Sequence, residues 1–328
     1  MNYALKLWPL AAENFARIRQ SAAEGHYIEL GAAPSGWKLS KLFANHRRAS
    51  ITARTDAKSI ASRPCFLCKA NRPAEQTSEL WRGYEVLLNP FPLSERHLTI
   101  ASLRHEPQAI TPARIADMAA LARELGGMCV FYNGPRCGAS APDHFHFQAI
   151  GPDRCGNIFN LSLPTEPVCR REGAMLYAAT DAAPYPLFII ESTADSALPP
   201  LFTTLTEALS GSIPDETEPM MNIVMLLLPD GHTLRTVIIP RGKHRPACYT
   251  AADSTMLVSP ATVEMLGTIV CSRKEDFDRI DSRTASEILS EVGLPLSTFN
   301  LIVNRLRDCP NTHYSDNLYQ HSTSSSTI

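Results

Sequence analysis

The segment His144-Phe145-His146-Phe147-Gln148 alternates polar and apolar side chains with a period of two. A β-strand imposes that period, so His144, His146 and Gln148 are predicted on one face and Phe145, Phe147 and Ala149 on the other. The aromatic face needs a core behind it, so the strand belongs inside a sheet that is covered on that side. The polar face stands at a cavity or at solvent. A loop containing Gly138 and Ser140 precedes the strand. Tight-loop N–H groups, a hydroxyl, an imidazole and an amide together form a compact surround for a phosphate. An imidazole with an ordinary pKa near 6.5 is largely neutral at pH 7 and can attack phosphorus. The plainer alternative is a solvated polar sheet face.

The rest of the chain supports an α+β arrangement. Residues 1–62 read as a helical lead-in, with helical patterning from Asn14 to Ala23. Tyr84 to Asn89 reads as a strand stopped by Pro90 and Pro92, and His97 to Ser102 as the next. Thr111-Pro112 opens a helix that Gly126-Gly127 ends, with Thr111 as its N-cap. Met128 to Tyr132 and His144 to Ile150 are two more strands. A second half resembles this plan, with a strand at Pro186–Glu191, a helix at Ala197–Leu209 and a hairpin joining Asn222–Leu228 to Thr233–Ile239. Pro260 to Cys271 and Thr284 to Val292 are predicted helical, and the polar tail from about 309 disordered. The expected units are residues 63–170 as a catalytic lobe and 171–308 as a second lobe, each with an antiparallel sheet and packed helices.

With 44% hydrophobic residues a packed core is expected, and a formal net charge of -2 provides no field for nucleic acid or an anionic membrane. An anionic substrate has to be met by locally placed cations. The N-terminus shows no signal peptide pattern, and nine irregularly spaced cysteines do not suggest a secreted disulfide framework, so a reducing cytoplasm is expected. In that setting Cys65-Phe66-Leu67-Cys68 reads as a metal site or a redox pair, or as two reduced buried thiols.

The run from Asn133 to Gln148 resembles the active-site segment of the histidine-triad superfamily, in the branch of galactose-1-phosphate uridylyltransferases, diadenosine-tetraphosphate phosphorylases and GDP-hexose phosphorylases. The resemblance implies a HIT-like fold and a covalent nucleotidyl intermediate on the second histidine, His146. Ser140 and Gln148 would contact phosphate oxygens, and the His144 carbonyl would orient His146. Asp143 departs from the uridylyltransferase pattern, which has Pro directly before the first histidine, and makes this loop one residue longer. Hydrolases of the superfamily carry a histidine where Gln148 stands. An amide cannot relay a proton, so the resemblance favours transfer to a phosphate acceptor. It further implies a structural zinc on Cys65, Cys68, His105 and His144, with His97 as a rival ligand.

Three other segments bear on binding. Asn89-Pro90-Phe91-Pro92 resembles a nucleotide-contacting segment of the branch, and Asn89 reads equally well as a turn cap. Arg241 and Lys243, in Pro240-Arg241-Gly242-Lys243, resemble cations that hold pyrophosphate or incoming phosphate, or else form a solvated basic loop. Asn133 and Gly138 complete the expected substrate contacts. The expected activity is ping-pong nucleotidyl transfer from an NDP-sugar or a dinucleoside polyphosphate to inorganic phosphate or a sugar phosphate. A hydrolase of the same superfamily, a non-enzymatic nucleotide-binding protein and a metal-dependent enzyme using His144 and His146 together are the alternatives. No residue sets the oligomeric state, and a homodimer is compatible with the chain.

Overall fold

The computed structural model describes residues 9–210, 218–250 and 255–308, so the predicted disordered tail lies outside the described residues. The strands are β1 (Tyr27–Ala32), β2 (Lys38–Phe43), β3 (Ser78–Trp81), β4 (Tyr84–Leu88), β5 (His97–Ser102), β6 (Cys129–Asn133), β7 (His146–Ile150), β8 (Cys169–Arg171), β9 (Ala174–Ala179), β10 (Leu187–Ser192), β11 (Met221–Leu227), β12 (Leu234–Pro240) and β13 (Thr268–Cys271). Ten of them form one antiparallel sheet in the order β3-β4-β5-β7-β6-β11-β12-β10-β9-β8. Its halves repeat a plan. Three meandering strands lead into a helix, and the next two strands return so that the last lies beside the third. The repeats join where β6 pairs with β11, with Asn133 opposite Asn222.

One face of the sheet is covered by helices Pro112–Glu124, Leu198–Ser210 and Leu296–Arg307. As predicted, Thr111 caps the first of these by accepting from the Arg114 N–H, with Pro112 in its first turn. Phe145 and Phe147 point into this core, their rings edge to face at 4.9 Å. The alternation read from the sequence therefore holds, and the histidine face of β7 looks the other way. Over that other face lies a second core, formed with the small sheet β1-β2-β13 and helix Ser282–Val292.

Three expectations need amendment. The lead-in holds the helix Pro9–Ala23, but also the β1–β2 hairpin. The span Pro260–Cys271 is not one helix: a single turn, Thr262–Met265, gives way to β13, which pairs in parallel with β2. Gly267 causes the break, with φ at +105° and no room for a Cβ, which would lie 2.2 Å from the Lys38 carbonyl. The following Thr-Ile-Val-Cys run is largely β-branched and suits a strand. Finally, β7 begins at His146 rather than His144, which sits in a bend just before the ladder.

Candidate active site

β7 lies between β5 and β6, but its pairing with β6 covers only Gln148 to Ile150. β6 pairs with β11 as far as Asn133, but its ladder with β7 ends at Phe131, so the start of β7 lacks that partner. Gln108 fills the gap like a short piece of strand. Its Oε1 accepts from the His146 N–H (2.8 Å), and its Nε2 donates to the carbonyls of His146 and Asn133 (3.0 Å each). This buried amide holds the backbone of His146 without touching its ring. Gln108 carries no motif, and only its position before a helix marks it in the sequence.

The His146 ring is held at Nδ1, 2.9 Å from the carbonyl of His144. A carbonyl can only accept, so Nδ1 carries the proton and Nε2 keeps its lone pair. Burial, and secondarily the charge of His144, pull the His146 pKa down to about 4, so the ring is neutral at pH 7. His146 lines a cavity of about 650 Å³ together with Gln148, Ser140, Gly138, Asn133 and Asn89. Gly138, with φ at +97°, packs against Ala261, so that even a Cβ would collide there.

The cavity is cationic. Arg47, Arg54, Arg63, Arg72 and Arg245 line it, and Glu264 is the single acid among the described lining residues. Arg72 is neutralised by Glu85, and Arg63 donates to Asp143 (2.7 Å). Arg63 Nη1 is buried with no hydrogen-bond partner. An orphaned guanidinium donor at a cavity wall is an incentive for an anion. Burial pushes Glu264 up to about 7, against the N–H of Ala261 and the charge of Arg47.

Cys65, Cys68, His105 and His144 come together, with one donor atom from each all within 4.8 Å of one another. Cys65 Sγ is 3.4 Å and Cys68 Sγ 3.5 Å from His144 Nδ1, and Cys68 Sγ is 3.3 Å from His105 Nδ1. A tetrahedral ion with sulfur at about 2.3 Å and nitrogen at about 2.0 Å needs ligand separations of about 3.5 Å, so these residues fit one. His144 Nε2 donates to the Ser102 carbonyl (2.8 Å), which leaves Nδ1 as the ligand nitrogen. Burial opposes ionisation of Cys65, but its contact with His144 and the nearby backbone N–H groups bring its thiol down to about 7. His97 takes no part in this cluster.

Two expected substrate contacts are absent from the cavity. Arg241 is completely buried and uses its guanidinium internally, donating to the carbonyls of Val292, Pro260, Lys243 and His244 and to Asn222 Oδ1. Lys243 is exposed and pairs with Glu291 (2.9 Å). The cation this segment brings to the cavity is Arg245 instead, beside His244, which burial and the charge of Arg245 keep neutral. Arg241 thus joins the β12 end to the chain around Val292 and to the loop at Pro260. Arg241→Ala is expected to cost about 3–5 kcal/mol, since it strips donors from several buried acceptors. Urea unfolding measures this, and a wild-type midpoint in the variant would contradict it.

Asn133 and Asn89 reach the cavity but are also structural. Asn133 Oδ1 accepts from Asn222, from the Thr262 hydroxyl (2.7 Å) and from the Thr262 N–H. Asn89 Oδ1 accepts from the Phe91 N–H (2.9 Å), which is the turn-capping role.

Residues 1–151 match the family described as "Domain of unknown function (DUF4922)", and residues 222–308 match "GDPGP1-like, C-terminal domain". None of the curated proteins matches by sequence. Among solved structures the chain is similar to yeast Ap4A phosphorylase, with 18% identity and a TM-score of 0.56 over 88% of this chain and 98% of that one. The same enzyme in complex with Ap4A aligns at 17% identity and a TM-score of 0.53, over 87% and 97% of the two chains. Its complex with AMP gives 15% identity and a TM-score of 0.53 over the same shares. The chain therefore has a fold similar to that of the yeast Ap4A phosphorylase, and its C-terminal part matches the GDPGP1-like family.

Proposed function

We propose that the chain is a nucleotidyltransferase of phosphorylase type, acting on an NDP-sugar or a dinucleoside polyphosphate through a nucleotidyl-His146 intermediate. The observation that carries this reading is the His146 ring, protonated at Nδ1 against the His144 carbonyl while its ring lines a cationic cavity. Nε2 attacks the α-phosphorus, an N–P bond forms, and the bond to the departing phosphorylated product breaks. A phosphate oxygen then attacks the same phosphorus and the N–P bond breaks in turn. Gln148, Ser140 and loop N–H groups donate to the nonbridging oxygens as charge develops on them. Arg47, Arg54 and Arg245 neutralise the polyphosphate.

Gln148 decides the acceptor. Water must lose a proton as it attacks, and an amide cannot take one. Inorganic phosphate arrives already ionised and needs no base. The yeast enzyme that this chain resembles is named a phosphorylase, and its structures with AMP and Ap4A are consistent with a nucleotide in the corresponding cavity. We further propose that the Cys2His2 cluster holds a structural zinc, which would fix His144 and through its carbonyl the ring of His146.

Incubating the protein with Ap4A or an NDP-sugar, with and without inorganic phosphate, tests the reading. Turnover that requires phosphate is expected. Equal release without phosphate would indicate the hydrolase, and tight binding without turnover or adduct would leave only a nucleotide-binding protein.

A further inference from the structure

Gln148 can assist at phosphorus only if its NH2 end, not its carbonyl, faces the cavity. An amide can turn over, so something has to choose. Two backbone N–H groups in the turn between β4 and β5 make that choice.

The Leu93 N–H donates to His97 Nδ1 (3.0 Å). A backbone N–H can only donate, so Nδ1 is the unprotonated nitrogen, and a neutral His97 carries its proton on Nε2. Nε2 lies 2.9 Å from Gln148 Oε1, to which it donates. The Phe91 N–H likewise donates to Asn89 Oδ1 (2.9 Å), which turns the Asn89 NH2 inward. That NH2 donates to Thr99 Oγ1 (3.0 Å) and to the same Gln148 Oε1 (3.4 Å). Two donors thus converge on Oε1. Gln148 Nε2 makes no hydrogen bond among the described residues, and Gln148 lines the cavity.

We infer that His97, supported by Asn89, is a positioning residue that locks the Gln148 amide with its NH2 toward the substrate phosphate. The inference rests on the proposed transfer reaction for its purpose, but not for its geometry. His97 is completely buried, and burial holds it neutral, so the tautomer is fixed by the Leu93 N–H alone. Asn89 and His97 act through Gln148 and need no contact with the nucleotide. Flipping the amide would set Nε2 against two donors and turn a carbonyl oxygen toward phosphate oxygens.

The test has two arms on the full chain. The first needs no turnover: side-chain nitrogen NMR should show His97 unprotonated at Nδ1 and protonated at Nε2. A His97 protonated at Nδ1, or at both nitrogens, overturns the lock even if the enzyme is active. The second uses Ap4A as probe in single-turnover adduct formation. His97→Leu is expected to slow adduct formation by about 10²-fold, the scale of losing one oriented donor, with the apparent Kd for Ap4A changed less than about threefold. In a Gln148→Ala background the same substitution should change the rate less than about twofold, because its target is already gone. Independent losses in that cycle would overturn the inference. If wild type forms no adduct, the proposed function fails, while the NMR arm still decides the lock. It also decides should His97→Leu not fold.

Discussion

His146→Ala is expected to abolish nucleotidyl labelling of the protein and to lower phosphate-dependent turnover by at least ~10⁴-fold, the scale on which losing a covalent nucleophile acts. The same substitution should leave the fold nearly intact. The hydrogen bond described for the His146 ring is to the carbonyl of His144, so its removal orphans one acceptor at a cost of about 1 kcal/mol. The backbone at that position stays held by Gln108, which grips the N–H and the carbonyl and not the ring. Nucleotide affinity should survive as well, because the lining arginines are untouched. Acid-labile incorporation of labelled nucleotide, followed beside a thermal melt and an equilibrium binding isotherm, checks all three. Undiminished labelling in the variant would remove His146 from the chemistry.

The face of β7 was legible because strand geometry is local: a period of two sorts Phe145 and Phe147 from His146 and Gln148 whatever surrounds them. The gathering of Cys65, Cys68, His105 and His144 was legible only through resemblance, since Cys65 and His144 stand far apart in the chain and spacing alone left a redox reading open. Gln108 was invisible for a different reason. Its role exists because the β6–β7 ladder stops at Phe131 and leaves the start of β7 unpaired on that side, a tertiary event with no sequence marker. Arg241 shows the opposite failure. An arginine after a strand reads as a phosphate ligand, yet the chain folds around this one and its donors are spent on carbonyls from three segments. Sequence reports which residues carry charge, but burial decides whether that charge is free to meet a substrate. The span from 260 to 271 mixed helix-compatible and β-branched residues, and the pairing with β2 together with the turn at Gly267 settled it.

Removing the proposed zinc should cost the protein more than any single surface contact does. An ion held at a thousand times its dissociation constant contributes ~4.1 kcal/mol to stability by mass action. For a chain of this size that corresponds to a fall in Tm of roughly 6 °C. The ligands come from three separated stretches. Cys65 and Cys68 lie before β3, while His105 and His144 lie after β5 and just before β7. Without an ion the cysteine stretch is tied to the histidines by weak sulfur–nitrogen contacts, the Arg63–Asp143 pair and a small apolar cluster of Cys65, Leu67, Leu87, Ala101 and Ala141. A strong chelator is therefore expected to lower the wild-type Tm by that amount, and Cys65→Ser to start near the chelated value and respond no further. Elemental analysis should find one zinc per wild-type chain, none in Cys65→Ser, and one in His146→Ala. That last result separates the two histidines of the strand: if zinc left with His146 instead, both imidazoles would be metal ligands, and His146 would have no free nitrogen with which to attack.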